Sequence, residues 1–289
     1  MMSALYNTQG AGVSEYHYIA MVAEVNAPAR LAVYDRINKK QYTINIKNGG
    51  THNGDVLGHG NDIMILSDNG QDVYMTFSHM YKPGLVIVHY DAVNQTAEVT
   101  GGKIIFKPTD GTDPSRMNVS SSQWIYPAPG TPLNTFGYNI VVSATGRFWG
   151  ATIDFGNITG TQTVDATPIS RNNAAQSSLD LMFGKDNQIR TGQSDWIDTD
   201  NMKLYKIISS SSASGFSGAP NTVSMVFEAD IIDGTSYPVL TGKYWMVDQP
   251  EMANNEMEKV WIENGHLFVN VNQNLGKSHY TIVADLGTV

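Results

Sequence analysis

The chain has 289 residues with 27 acidic and 18 basic side chains, a formal net charge of −9. Its lysines and arginines are scattered, which argues against a nucleic-acid partner, because phosphate binding needs concentrated positive charge. There is no cysteine, so disulfide scaffolds, thiol chemistry and cysteine-liganded metals are excluded.

The first twenty residues have neither a basic start nor an apolar stretch of the kind a secretory leader needs. No run approaches the ~18 apolar residues of a membrane span. The expected location is outside the cell or on a particle, without a classical leader, and the cytoplasm is the alternative. With 27 glycines, 11 prolines and no sustained 3.6-residue apolar period, the chain reads as all-β.

In chain order, Ser3 to Tyr6 is expected to be a strand that pairs with the last repeat and closes a ring. Strands at Tyr16–Glu24, Leu31–Arg36 and Gln41–Ile46 follow. The glycine-rich loop from Asn48 to Asp62 carries His52, Asp55, His59 and Asn61. It leads into Asp62–Leu66, a continuous apolar run suited to a strand buried on both faces. Alternating strands at Val73–Phe77 and Leu85–Tyr90 come next. Thr96–Thr100 and Lys103–Lys107 read as two further strands, and Pro108–Thr135, with Trp124 and Tyr126, reads as a long loop.

The pattern of apolar run, glycine turn and alternating strand returns from Asn139, from Asp180 and from Glu258. The starts at 62, 139, 180 and 258 lie 77, 41 and 78 residues apart, close to two, one and two units of ~40 residues. That is the period of four-stranded propeller blades. The expected fold is one β-propeller domain spanning residues 1–289, with five blades and six as the alternative.

Superposed, the copies place Asp62, Asn139, Asp180 and Glu258 at the start of the innermost strand. The four would form a polar ring at a channel mouth. Such oxygens suit a calcium ion, with Asp62, Asp180 and Glu258 as its carboxylates, or sugar hydroxyls. The bland reading is a hydrated channel lining. His52, Asp55, His59 and Asp62 supply groups that coordinate or titrate near neutral pH, at a spacing that matches no zinc motif. An Asx-stabilised turn is the alternative there. Trp124, Tyr126 and Trp196 read as loop aromatics able to stack on sugars, while Trp149, Trp245 and Trp261 read as core. No nucleophile elbow, P-loop or dinucleotide fingerprint is present.

The segment NEMEKVWIENGHLFVNVNQNLGKSHYTIVADL resembles the closing segment of the helveticin J family, large bacteriocins of lactobacilli. FGYNIVVSATGRFWGATIDFG is similar to an internal segment of that family, and the histidine-bearing loop before Asn61 resembles its His/Gly loops. The resemblance implies a propeller-like protein acting at a bacterial surface and carries over no catalytic residue.

Two functional classes follow. The first is a bacteriocin-like propeller that recognises cell-wall glycan or teichoic acid through channel-mouth polar residues and loop aromatics. The net negative charge requires a bridging cation or a locally basic site for an anionic polymer. The second is a glycoside hydrolase of the five-bladed kind, whose carboxylate pair would come from Asp62, Asp180 and Glu258, ~5–9.5 Å apart. Binding is favoured over catalysis, because the repeat itself accounts for the acidic positions. The oligomeric state is not legible in the residues.

Overall fold

The structure, a computed structural model, describes residues 8–22, 27–50, 56–57, 62–78, 82–124, 137–173, 188–211, 223–246, 255–275 and 278–289. The expected closing strand Ser3–Tyr6 lies outside them. Among the described residues the chain is all-β, with two short 3-10 turns and no α-helix.

The strands fall into five consecutive groups. The first holds β1 (Thr8–Val13), β2 (His17–Val22), β3 (Arg30–Asp35) and β4 (Lys40–Lys47), each antiparallel to the next. The second holds β5 (Ile63–Asp68), β6 (Asp72–Ser78), β7 (Leu85–Asp91) and β8 (Thr96–Pro108), again antiparallel throughout. The third holds β9 (Val119–Trp124), β10 (Ile140–Ala144), β11 (Arg147–Ala151) and, beside β11, β12 (Thr161–Arg171). The fourth is an antiparallel meander of β13 (Gln188–Asp198), β14 (Lys203–Ser211), β15 (Val223–Asp230) and β16 (Val239–Met246). The fifth shows β17 (Asn255–Glu263), β18 (His266–Leu275) and β19 (Ser278–Thr288).

Two compact units result. Thr8–Ile169 holds the first three groups and Ser170–Val289 the last two. In the first unit, β8 runs parallel to β4 at Ile46–Ala97 and Lys47–Glu98, and parallel to β12 from Lys103 to Pro108. A kink at Gly101, which has a φ of 88°, divides β8 between these two neighbours. This is why the residues read as two strands when they form one.

The second group shows why its apolar runs are continuous. Ile63, Ile65, Val86, Val88 and Tyr90 enter a core shared with the first group, around Ile19, Leu31 and Met75. Met64, Leu66, Leu85 and Ile87 point the other way, into a core shared with the third group around Phe106, Ile140 and Trp149. Alternate side chains serve alternate cores, so neither face is left for solvent. Each such buried side chain contributes roughly 1.5–3 kcal/mol. In the second unit, Tyr205, Val226, Met257, Val260, Leu267 and Val269 form a separate core.

Three hairpins share one turn chemistry. In Asp35-Arg-Ile-Asn-Lys, Asp91-Ala-Val-Asn-Gln and Asp198-Thr-Asp-Asn-Met, the aspartate accepts from the backbone N–H of the asparagine three residues on, at 2.8, 2.8 and 3.1 Å. The asparagine amide returns a bond to the other carboxylate oxygen. The next residue, Lys39, Gln95 or Met202, takes a positive φ of 54–56°. Local Asx bonding thus replaces the glycine that such turns usually demand.

Tyr90 gives the fold an alkaline limit. Burial first, then Tyr42 and the carboxylates of Asp35, Asp91 and Asp68, push its phenol from 10.0 up to about 12. A phenol raised in the folded state stabilises fully below its unfolded value, and the contribution is lost as pH climbs from about 10 to about 12. Urea melts across that window should therefore show a loss that is smaller by about 2 kcal/mol in Tyr90→Phe. An identical loss in the variant would assign the effect to other groups.

Candidate functional site

Nine buried polar side chains among the described residues stand on, or at the head of, the first strand of a group. In the first unit these are Thr8 of β1, Asp62 at the head of β5, and Ser121, Ser122 and Gln123 of β9. β5 lies against both β1 and β9, so these first strands are neighbours. Asp62 is wholly buried. Its Oδ1 accepts from the Ile63 N–H at 2.9 Å and its Oδ2 from the Ser122 N–H at 2.7 Å. The carboxylate thereby joins the first strands of the second and third groups.

In the second unit the set is Ser194 and Asp195 of β13 with Glu258 and Lys259 of β17, and these two strands pack together. Asp195 faces Lys206 across the β13–β14 pair, and their side chains form an ion pair that is 4% and 5% exposed. Glu258 sits at a register shift between Met257 and Lys259. The bulge breaks the period-two alternation, so both Glu258 and Lys259 are buried. Glu258 accepts from the Asn272 amide at 3.1 Å, and Thr281 donates to the Asn272 carbonyl oxygen at 2.9 Å. Farther along the sheet, the buried Glu228 accepts from the Tyr205 hydroxyl at 3.2 Å and faces Lys203 and Lys243. Burial and then the Glu228 carboxylate raise the Tyr205 phenol.

The expected ring changes in register. Asp62 stands at the head of a first strand, as expected, and Glu258 lies within one. Asn139 precedes β10, the second strand of its group, where its side chain clasps the Ile153 N–H at 3.0 Å and the Ile153 carbonyl at 3.2 Å. The first strand of that group is β9, inside the stretch expected to be a long loop. Its residues, VSSSQW, show no apolar run because the strand carries polar side chains. Trp124 ends β9 and Trp196 lies on β13, so both stand on strands where loops were expected. Trp196 is half-buried and packs on the core of the second unit. The core reading of Trp149 and Trp261 matches their burial.

His52, Asp55, His59, Asn61, Tyr126 and Asp180 lie outside the described residues. Among the described residues, no three His, Asp or Glu side chains are grouped closely enough to hold a metal ion. No helix there is long and apolar enough to cross a membrane.

Ser14, His17 and Asp68 bring together the residue types of a hydrolytic triad in a different order. Ser14 Oγ and His17 Nδ1 both reach the same oxygen of Asp68, at 2.5 and 2.8 Å. A triad needs the hydroxyl on the imidazole instead. Here the aspartate is the hub, His17 and Asp68 are 3% and 2% exposed, and the cluster ties β5 to the β1–β2 turn.

No protein-family model and no curated protein matches this chain. Among solved structures it is similar to a GH43 β-1,3-galactosidase, at 11% identity and a TM-score of 0.42, over 99% of this chain and 94% of that one. It is also similar to the GH32 β-fructofuranosidase of Bombyx mori, at 7% identity and a TM-score of 0.45, over 98% and 61% of the two chains. A third is the β-propeller domain of the Trilobed protease from Pyrococcus furiosus, at 7% identity and a TM-score of 0.31, over 100% and 86%. The all-β architecture stands on the strand pairing above, and the helveticin J resemblance rests on its quoted segments alone.

Proposed function

We propose that the five strand groups are blades of one five-bladed propeller that binds carbohydrate at a bacterial surface without cleaving it. The observation that carries this reading is the set of buried polar side chains on first strands that pack against one another within each unit, the position that lines a propeller channel. The fifth group shows three strands among the described residues where the others show four.

Binding is favoured over hydrolysis by what the carboxylates already do. Asp62 is held by two backbone N–H groups, Asp195 by Lys206 and Glu258 by Asn272. An acid–base pair needs carboxyl groups aimed at the scissile bond rather than spent on the scaffold. The helveticin J resemblance supports a wall glycan or teichoic acid as the polymer, with calcium as the bridging cation for an anionic one.

Purified protein should bind Gram-positive cells and extracted wall glycan saturably and release no sugar. Chelation should abolish binding to teichoic acid and restoring calcium should recover it. Sugar release that disappears in folded Asp62→Asn or Glu258→Gln would replace this reading with a glycoside hydrolase.

A further inference from the structure

The first unit holds an open groove of about 660 Å3, between β4 and the β7–β8 hairpin. β4 and β8 pair through two residues only, Ile46 with Ala97 and Lys47 with Glu98. Period two places Thr43, Asn45 and Lys47 along one wall, and Gln95, Thr96 and Glu98 form the facing one. Ile44 and Ala97, between these positions, turn to the opposite face and into the core of the first two groups.

Part of this wall is rigid before any ligand arrives. His89 stands opposite Glu98 on β7, its Nε2 2.9 Å from Asp72 and its ring stacked on Tyr74 at 4.6 Å. Asp91 spends both oxygens on Asn94. The side chains of Thr43, Asn45, Gln95 and Thr96 are not bonded to other described residues and are the groups left to face a ligand.

The chemistry of these groups selects the ligand. Two amides and two hydroxyls each donate and accept, as do the hydroxyls of a sugar. The carboxylates of Asp91 and Glu98 oppose a phosphate or an acid. A cation would meet Lys47, and no cluster of three ligating side chains is present among the described residues. The volume lies in the range of small-molecule sites.

We infer that this groove is a lateral binding site for a short neutral oligosaccharide, separate from the first strands. It does not rest on the channel reading and survives if that reading fails. Amide chemical-shift titration of the full chain with maltotriose, cellotriose and chitotriose tests it. At least one sugar should shift residues 43–47 and 95–98 saturably. Asn45→Ala and Thr96→Val, both at exposed positions, should each weaken that event at least tenfold. Both variants should keep the wild-type urea midpoint, so that a lost response is a lost contact and not a lost fold. Shifts confined to other residues, equal affinity in the two groove variants, or a response only to inorganic phosphate or spermidine would each overturn the assignment.

Discussion

Lys206→Ala should lower the unfolding free energy by about 3–5 kcal/mol, the cost of leaving one member of a buried ion pair without its partner. Asp195 and Lys206 are directly opposed on β13 and β14, and both side chains are at least 95% buried. Removing the ammonium takes the charged partner from a carboxylate that is only 4% exposed. Removing both charges leaves no carboxylate there. Asp195→Leu with Lys206→Met should therefore lie within about 1 kcal/mol of the wild type or above it, since apolar pairs of similar volume often replace buried salt bridges at no loss. The exposed pair Lys47–Glu98, at 4.0 Å with side chains 74% and 51% exposed, is the control. Lys47→Ala should cost no more than about 0.5 kcal/mol. Urea denaturation of the wild type and the three variants measures all of this. A Lys206→Ala loss no larger than that of Lys47→Ala would show that water reaches the β13–β14 pair.

The same pair shows where sequence reading stops. The strands of the second group were legible, IMIL as one buried on both faces; LVIV, read as alternating, is buried on both faces as well. The first group was legible for its last three strands, β2, β3 and β4. Its leading strand, TQGAGV, and β9, VSSSQW, escaped because a first strand that carries polar side chains lacks the apolar run by which strands are recognised. That omission moved the copy beginning at Asn139 one strand out of register. Trp196, on the polar first strand of the fourth group, reads as a loop aromatic for the same reason. The three Asp-x-x-Asn turns were open to detection, since each keeps the aspartate and asparagine at one spacing between strands. Asp62 was legible as a strand-start carboxylate. Its bond to Ser122, sixty residues away in sequence, was not, because tertiary pairing leaves no local pattern.

Gly84→Ala should be among the most damaging single substitutions in the chain, costing on the order of 3–5 kcal/mol. Gly84 follows Lys82-Pro83 and takes a φ of 91°, a conformation that disfavours any side chain by about 1–2 kcal/mol. Space adds the larger part. A Cβ there would stand 2.3 Å from the carbonyl oxygen of Ile104, a backbone atom that cannot rotate away. Ile104 pairs with Leu85 where β7 meets β8, so relief requires parting the two strands. The Gly84 N–H also donates to the Met117 carbonyl at 3.0 Å, just ahead of β9. Displacing Gly84 therefore reaches the polar first strand of the third group. Gly111→Ala separates the two contributions, because its φ is 85° with nothing within 4 Å of the added carbon. It should cost only the conformational 1–2 kcal/mol. Hydrogen exchange should show amides of residues 85–88 and 119–123 losing protection in Gly84→Ala and keeping it in Gly111→Ala. Equal losses of stability in the two variants would mean that the contact with Ile104 relaxes freely, and that the junction of β7, β8 and β9 does not hold the third group in place.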